Sequence, residues 1–230
     1  MPFVAIRRDE SDPIQGTRRP RRHCRAFSHN TPPSRGGVVF ISNLLFVQMI
    51  FSLPVLRSGW VKFVIGWIVV FVIRLVPFRP PNIEGVLATT MPFGKRFGWF
   101  GGFLFGFFSI ALFDTAVGKV GIWTFITAAA YGALGIGAHF YFRNRASKAG
   151  NYVVYAVIAT LLYDATTGLS VGPLFFGQPF MEALIGQIPF TFWHLAGNVT
   201  FAALLSPALY RWVAVNPVLE TDTLFARRTG

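Results

Sequence analysis

Five apolar stretches set the terms for this chain: residues 61–76, 98–117, 121–142, 152–169 and 183–205. Each is close to the roughly 20 residues that an α-helix needs to cross a hydrocarbon core of about 30 Å. A lipid-spanning segment must satisfy its backbone internally, which leaves helices and closed barrels, and runs this long are helical. Only 13% of the 230 residues are charged and 53% are hydrophobic, against roughly 25% charged in a soluble domain. The 26 Phe and 23 Gly suit lipid-facing rings and close helix packing.

A sixth, shorter segment at residues 82–96 is interrupted by Pro92 and reads as a partly inserted helix returning the chain across the membrane. The sequence therefore predicts an all-α, polytopic membrane protein with a six-helix bundle over residues 58–213 and a cytoplasmic tail over 214–230. Loop charge orients it. With Arg143, Arg145 and Lys148 inside, Arg57, Lys62, Lys95, Arg96 and Arg211 also fall inside, and Arg74, Arg79 and Lys119 fall outside. Glu84, Asp114, Asp164 and Glu182 all land at the outer ends. Both termini are expected in the cytoplasm of a multi-pass cell-membrane protein.

The net charge of +12 is concentrated at the start. Residues 1–37 hold eight of the 21 Lys and Arg, including Arg18-Arg19-Pro20-Arg21-Arg22, and read as a disordered arm. Contact with anionic lipid suits the arm better than nucleic acid, which is not an expected partner. Residues 38–56 are apolar enough for a seventh helix, which would carry the arm outside. Either this run lies along the inner interface, or translation starts later, near Met49, and residues 1–57 are not part of the working protein. The single cysteine, Cys24, excludes an internal disulfide.

A weak repeat runs at an offset of 50 residues. Leu112-Phe113-Asp114 matches Leu162-Tyr163-Asp164, Gly118 matches Gly168, Ala133-Leu134 matches Ala183-Leu184, and Phe140 matches Phe190. In the predicted topology the copies are parallel helical hairpins, an arrangement that transporters use with a site between the halves. Each copy places one carboxylate near the outer end of its rising helix. Asp114 and Asp164 either cap the following turn, pair with Lys119 or another basic group, or meet a substrate. Gln187, Thr191, His194 and Asn198 recur at i, i+4, i+7 and i+11 along one face of the last helix, which must turn inward. Gln187 and His194 are ligand candidates, and the deeper Asn198 is structural. Ala128 and Gly132, and Ala129, Ala133 and Gly137, give the preceding helix small-residue rows for close packing. Trp60 and Trp123 fit an aromatic belt, and Trp123 is also placed to stack on a flat ligand.

The sequence has no phosphate-binding loop, too few Cys and His for a metal site, and no Gly-x-Ser-Gly turn for an intramembrane serine protease. No cofactor is expected.

Over residues 60–212 the chain resembles the substrate-binding (S) components of energy-coupling factor (ECF) vitamin transporters, most closely the riboflavin-type group. The resemblance is carried by Arg74-Leu75-Val76-Pro77-Phe78-Arg79-Pro80-Pro81-Asn82-Ile83-Glu84, the run 101–108 leading into Leu112-Phe113-Asp114, and Leu162-Tyr163-Asp164 with Gly168. Gly172-Pro173-Leu174-Phe175-Phe176 and the final polar helix complete it. It implies capture of a vitamin-like solute in an outward-facing pocket, docking on a transmembrane scaffold subunit, and ATP hydrolysis by two partner ATPases rather than by this chain. In that family small residues on the first helix meet the scaffold, whereas here that helix offers only Gly66 among bulky side chains. The expected binding residues are Asn82, Glu84, Asp114, Trp123, Asp164, Gln187 and His194. A second class of function, a stand-alone membrane enzyme or assembly factor, would rest on a buried His194–Asp pair.

Overall fold

A computed structural model of the chain describes residues 59–78 and 82–220. The expectations for residues 1–57 lie outside the described residues, as does the tail beyond 220. Among the described residues every regular element is helical. These are α1 (Trp60–Leu75), α2 (Val86–Ala116), α3 (Ile122–Phe142), α4 (Ala149–Thr166), α5 (Gly172–Phe176) and α6 (Phe180–Leu209). A π-helical turn, Thr167–Val171, joins α4 to α5, and a second, Tyr210–Ala214, prolongs α6. Among the described residues four runs are long and apolar enough to cross a membrane: Val86–Ala116, Ile122–Phe142, Ala149–Phe176 and Phe180–Ala214. Phe125, Phe140, Ile188 and Leu204 stand exposed along them, a surface that lipid tolerates and water does not.

The helix α2 is not a straight rod. Gly98 takes φ 81° and ψ −178°, a conformation essentially reserved for glycine. The chain turns back there. The Phe93 and Phe105 rings stack with centroids 3.9 Å apart, and Gly94 lies against Gly102. In a continuous helix residues 93 and 105 would be separated by about 18 Å. Residues 86–97 and 99–116 are thus two limbs packed antiparallel.

The sequence reading interrupts segment 82–96 at Pro92, but the helix is continuous there; the reversal lies at Gly98, where that reading passes from one segment to the next. The first limb runs through Pro92 because its lost hydrogen bond is replaced. Pro92 has no N–H for the Ala88 carbonyl four residues back, and the Ser206 hydroxyl of α6 donates to that carbonyl at 2.7 Å.

Glycine governs how this hairpin meets α3. A Cβ on Gly135 would collide with the Gly102 carbonyl, one on Gly102 with the Gly135 carbonyl, and one on Gly106 with the Tyr131 carbonyl. Backbone therefore touches backbone along this seam. Of the two small-residue rows on α3, Ala128 and Gly132 are buried, whereas Ala129 and Ala133 face outward. Gly66 of α1 is covered by the rings of Phe93 and Phe105.

Charges gather at the two ends of the helices. At one, Arg74 lies near Glu84 at 3.6 Å and Asp114 at 3.9 Å. At the other, Lys62 is only 1% exposed and donates to the Ala214 carbonyl and the Glu220 carboxylate, each at 3.2 Å. Glu220 also reaches Arg96 at 3.5 Å, and Lys95 donates to the Phe142 and Arg145 carbonyls.

The α2–α3 seam makes a direct prediction. Gly135→Ala should lower the unfolding midpoint in detergent, because the added methyl meets main chain that cannot rotate aside. Ala133→Leu, on the outward face of the same helix, should leave it unchanged. Equal effects in circular-dichroism melts would refute the backbone contact.

Candidate functional site

The polar stripe of α6 forms rungs against α4. Asn198 donates to Thr160 Oγ1 at 2.8 Å, and one turn higher His194 Nδ1 lies 2.7 Å from Asp164 Oδ1. Higher again, the Gln187 amide sits against Gly168 so closely that a Cβ there would overlap it. The rungs follow from helix geometry: steps of four or seven residues down α6 meet steps of four down the antiparallel α4. Gln187 also donates to Thr191 at 3.2 Å, within its own helix.

The middle rung is buried, with Asp164 2% and His194 3% exposed. An ionised carboxylate only accepts, so Nδ1 is assigned as the donor, and in the neutral ring Nε2 is left as an acceptor. The Tyr131 hydroxyl of α3 lies 3.5 Å from that nitrogen. The rings of Tyr163 and Phe190 meet the imidazole edge to face, with centroids at 5.4 and 5.6 Å. Asp164 Oδ2 is buried with no hydrogen-bond partner.

Directly above this rung is a cavity of about 340 Å³. From α3 it is lined by Trp123 and Thr127, from α4 and its π-turn by Tyr163, Thr167 and Gly168, and from α6 by Gln187 and Phe190. Thr167 and Gly168 follow Asp164 by three and four residues, and Phe190 precedes His194 by four, so the pair forms the layer one helical turn below the lining. Trp123 stacks on Phe176 of α5 with centroids 5.5 Å apart and planes 14° apart.

A second cluster sits at the same end of the helices. Arg74 lies between Glu84 and Asp114 and over the Phe113 ring at 4.1 Å, while its Nε and Nη1 are buried without a hydrogen-bond partner. Asp114 also accepts from Thr124 of α3 at 2.7 Å. Each aspartate of the sequence repeat is therefore bonded to the next long helix, Asp114 to α3 and Asp164 to α6.

Of the seven residues expected from sequence, Trp123 and Gln187 line the cavity, and Asp164 and His194 lie beneath it. Glu84 and Asp114 belong to the Arg74 cluster instead, paired rather than facing the cavity. Asn82 occupies the turn before α2 with φ 65°. The sequence reading did not select Thr127, Tyr131, Tyr163, Thr167, Gly168 or Phe190. Tyr163 and Gly168 stood inside the repeat, and Phe190 is one turn from His194, but Thr127 and Tyr131 become visible only when α3 is set against α4. Among the described residues no three His, Cys, Asp or Glu side chains converge to hold a metal ion.

Compared with family models, curated proteins and solved structures, the chain finds no match.

The His194–Asp164 pair is open to a double-mutant cycle. His194→Ala alone leaves a buried carboxylate without its partner, a loss of about 3–5 kcal/mol. Asp164→Asn with His194→Ala should recover a large part of that. Unfolding in mixed detergent micelles gives the coupling, and strictly additive effects would rule out a coupled buried pair.

Proposed function

We propose that this chain is a membrane-embedded capture subunit for a vitamin-like small molecule, working in an ATP-driven importer of the energy-coupling factor kind. The observation that carries the reading is the cavity of about 340 Å³ walled by α3, α4 and α6 above a buried polar rung. Small-molecule sites have this form: mainly apolar and aromatic walls with a few placed polar groups, in volumes from about 300 Å³ upward. The resemblance described from the sequence supplies the partners, a transmembrane scaffold subunit and two ATPases. The absence of a phosphate-binding loop from the sequence assigns hydrolysis to those partners.

The six-crossing plan takes α1, both limbs of α2, α3, α4 and α6 as the membrane segments. The hairpins of residues 99–142 and 149–209 are its two parallel repeats. Basic residues favour the Lys62–Lys95–Arg145 end as cytoplasmic and the cavity end as external. Gly66 faces inward, so the scaffold would meet α1 on its outward row of Ile68, Val72 and Leu75.

One observation favours the other reading, a membrane enzyme built on His194 and Asp164: the pair has the orientation of a general-base dyad. The group facing Nε2 is the buried Tyr131 phenol, 3.5 Å away, rather than a serine or cysteine. That favours binding over acyl transfer.

Two measurements test the proposal. Mass spectrometry of the gently purified full chain should find a retained small molecule in the wild type and less than about a tenth of it in Gln187→Ala. Equal retention in the variant would remove the cavity as the site. Single cysteines introduced in place of Gly177 and Ser147 should be labelled by an impermeant maleimide from outside only at the first position, in a Cys24→Ser background. The reverse pattern would invert the topology and put the cavity on the cytoplasmic side.

A further inference from the structure

The chemistry of the cavity wall narrows what it accepts, given the capture reading on which this inference rests. Thr127 has committed its hydroxyl proton to the Trp123 carbonyl at 2.6 Å, and Thr167 its own to the Tyr163 carbonyl at 2.8 Å. A hydroxyl has one proton, so each threonine turns only lone pairs toward a guest. Gln187 has given one amide proton to Thr191. Its second amide proton is the remaining side-chain donor that is not already committed, apart from the Trp123 indole, because the Tyr163 hydroxyl is hydrogen-bonded to the Thr167 side chain. Among the described residues no lysine or arginine lines the space. One turn beneath it lies Asp164, 2% exposed, with Oδ2 unpartnered. Arg74, the buried cation at this end, faces two carboxylates in its own cluster.

We propose that this cavity selects its solute by hydrogen-bond donors: it takes a flat, largely apolar molecule bearing N–H or O–H groups, cationic or neutral, and rejects carboxylates and phosphates. An ammonium or amidinium group would find acceptors on three walls, the Trp123 ring face, and the free Asp164 oxygen below. A carboxylate would meet lone pairs on the same walls and a buried negative charge beneath, with no fixed cation to offset its desolvation.

The test uses three indoles of similar size: tryptamine as cation, tryptophol as neutral donor and indole-3-acetate as anion. Equilibrium dialysis is run on the full chain in phosphatidylcholine nanodiscs, with empty nanodiscs subtracted. Tryptamine should bind at least about tenfold more tightly than indole-3-acetate, with tryptophol between them. Asp164→Asn should shrink that ratio to below about threefold, and Thr167→Val should weaken tryptamine and tryptophol while leaving indole-3-acetate unchanged. The ratio between ligands is the readout, so a merely less stable variant does not imitate the result. If Asp164→Asn does not fold, Thr167→Val decides by the same comparison. Indole-3-acetate binding as tightly as tryptamine overturns the inference, and so does the absence of binding by all three up to about 10 mM. The retained-solute measurement above does not depend on these probes, so the capture reading stands or falls separately.

Discussion

Within a bilayer no water is available to a buried polar atom, so leaving one unanswered by another part of the protein is costly. This constraint explains contacts that would otherwise look unrelated. Ser206 serves the carbonyl that Pro92 leaves open, and Asn198 reaches Thr160. The Trp67 indole donates to the Phe105 carbonyl at 3.3 Å, and the Tyr155 hydroxyl donates to the Leu134 carbonyl at 2.5 Å. Every one of these joins two different helices or limbs. The polar atoms are few, but they fix which helix faces which and in what register.

The same solvent removes the usual force between helices, because lipid tails are as apolar as leucine. What holds helices together is then close contact. Gly102, Gly106 and Gly135 bring α2 and α3 to backbone distance, and the Phe63, Phe93 and Phe105 rings close the space between α1 and the two limbs of α2. The looser region lies between α3 and α4, where Trp123, Thr127 and Tyr163 stand apart around the cavity. A tight seam on one side of α3 and an open one on the other give the cavity one close-packed wall.

Much of this was legible in the sequence, for physical reasons. Helix positions follow from apolar length, and the inward face of α6 was implied by the spacing of Gln187, His194 and Asn198, since polar side chains in a membrane helix must turn inward; that α4 meets it was not. The return of the chain near Gly98 was legible as the boundary between segments 82–96 and 98–117, but the unbroken passage through Pro92 was hidden. Pro92 is the stronger helix breaker in isolation, and its rescuer, Ser206, lies 114 residues further along the chain. Glu84 and Asp114 stand among the expected binding residues because the ends of their helices are legible in sequence, but the position of the Arg74 side chain between them is not. Thr127 in the cavity wall and Tyr131 beside His194 escaped because both are ordinary helix residues until α3 is placed.

Lys62 ties the order of assembly to the length of the chain. It lies in the first turn of α1, buried, and its carboxylate partner is Glu220, 158 residues later. A ribosome releases α1 long before Glu220 exists. Through nearly all of synthesis the Lys62 ammonium lacks its carboxylate partner. The contact that closes this end of the bundle therefore forms only once the chain beyond α6 has been made.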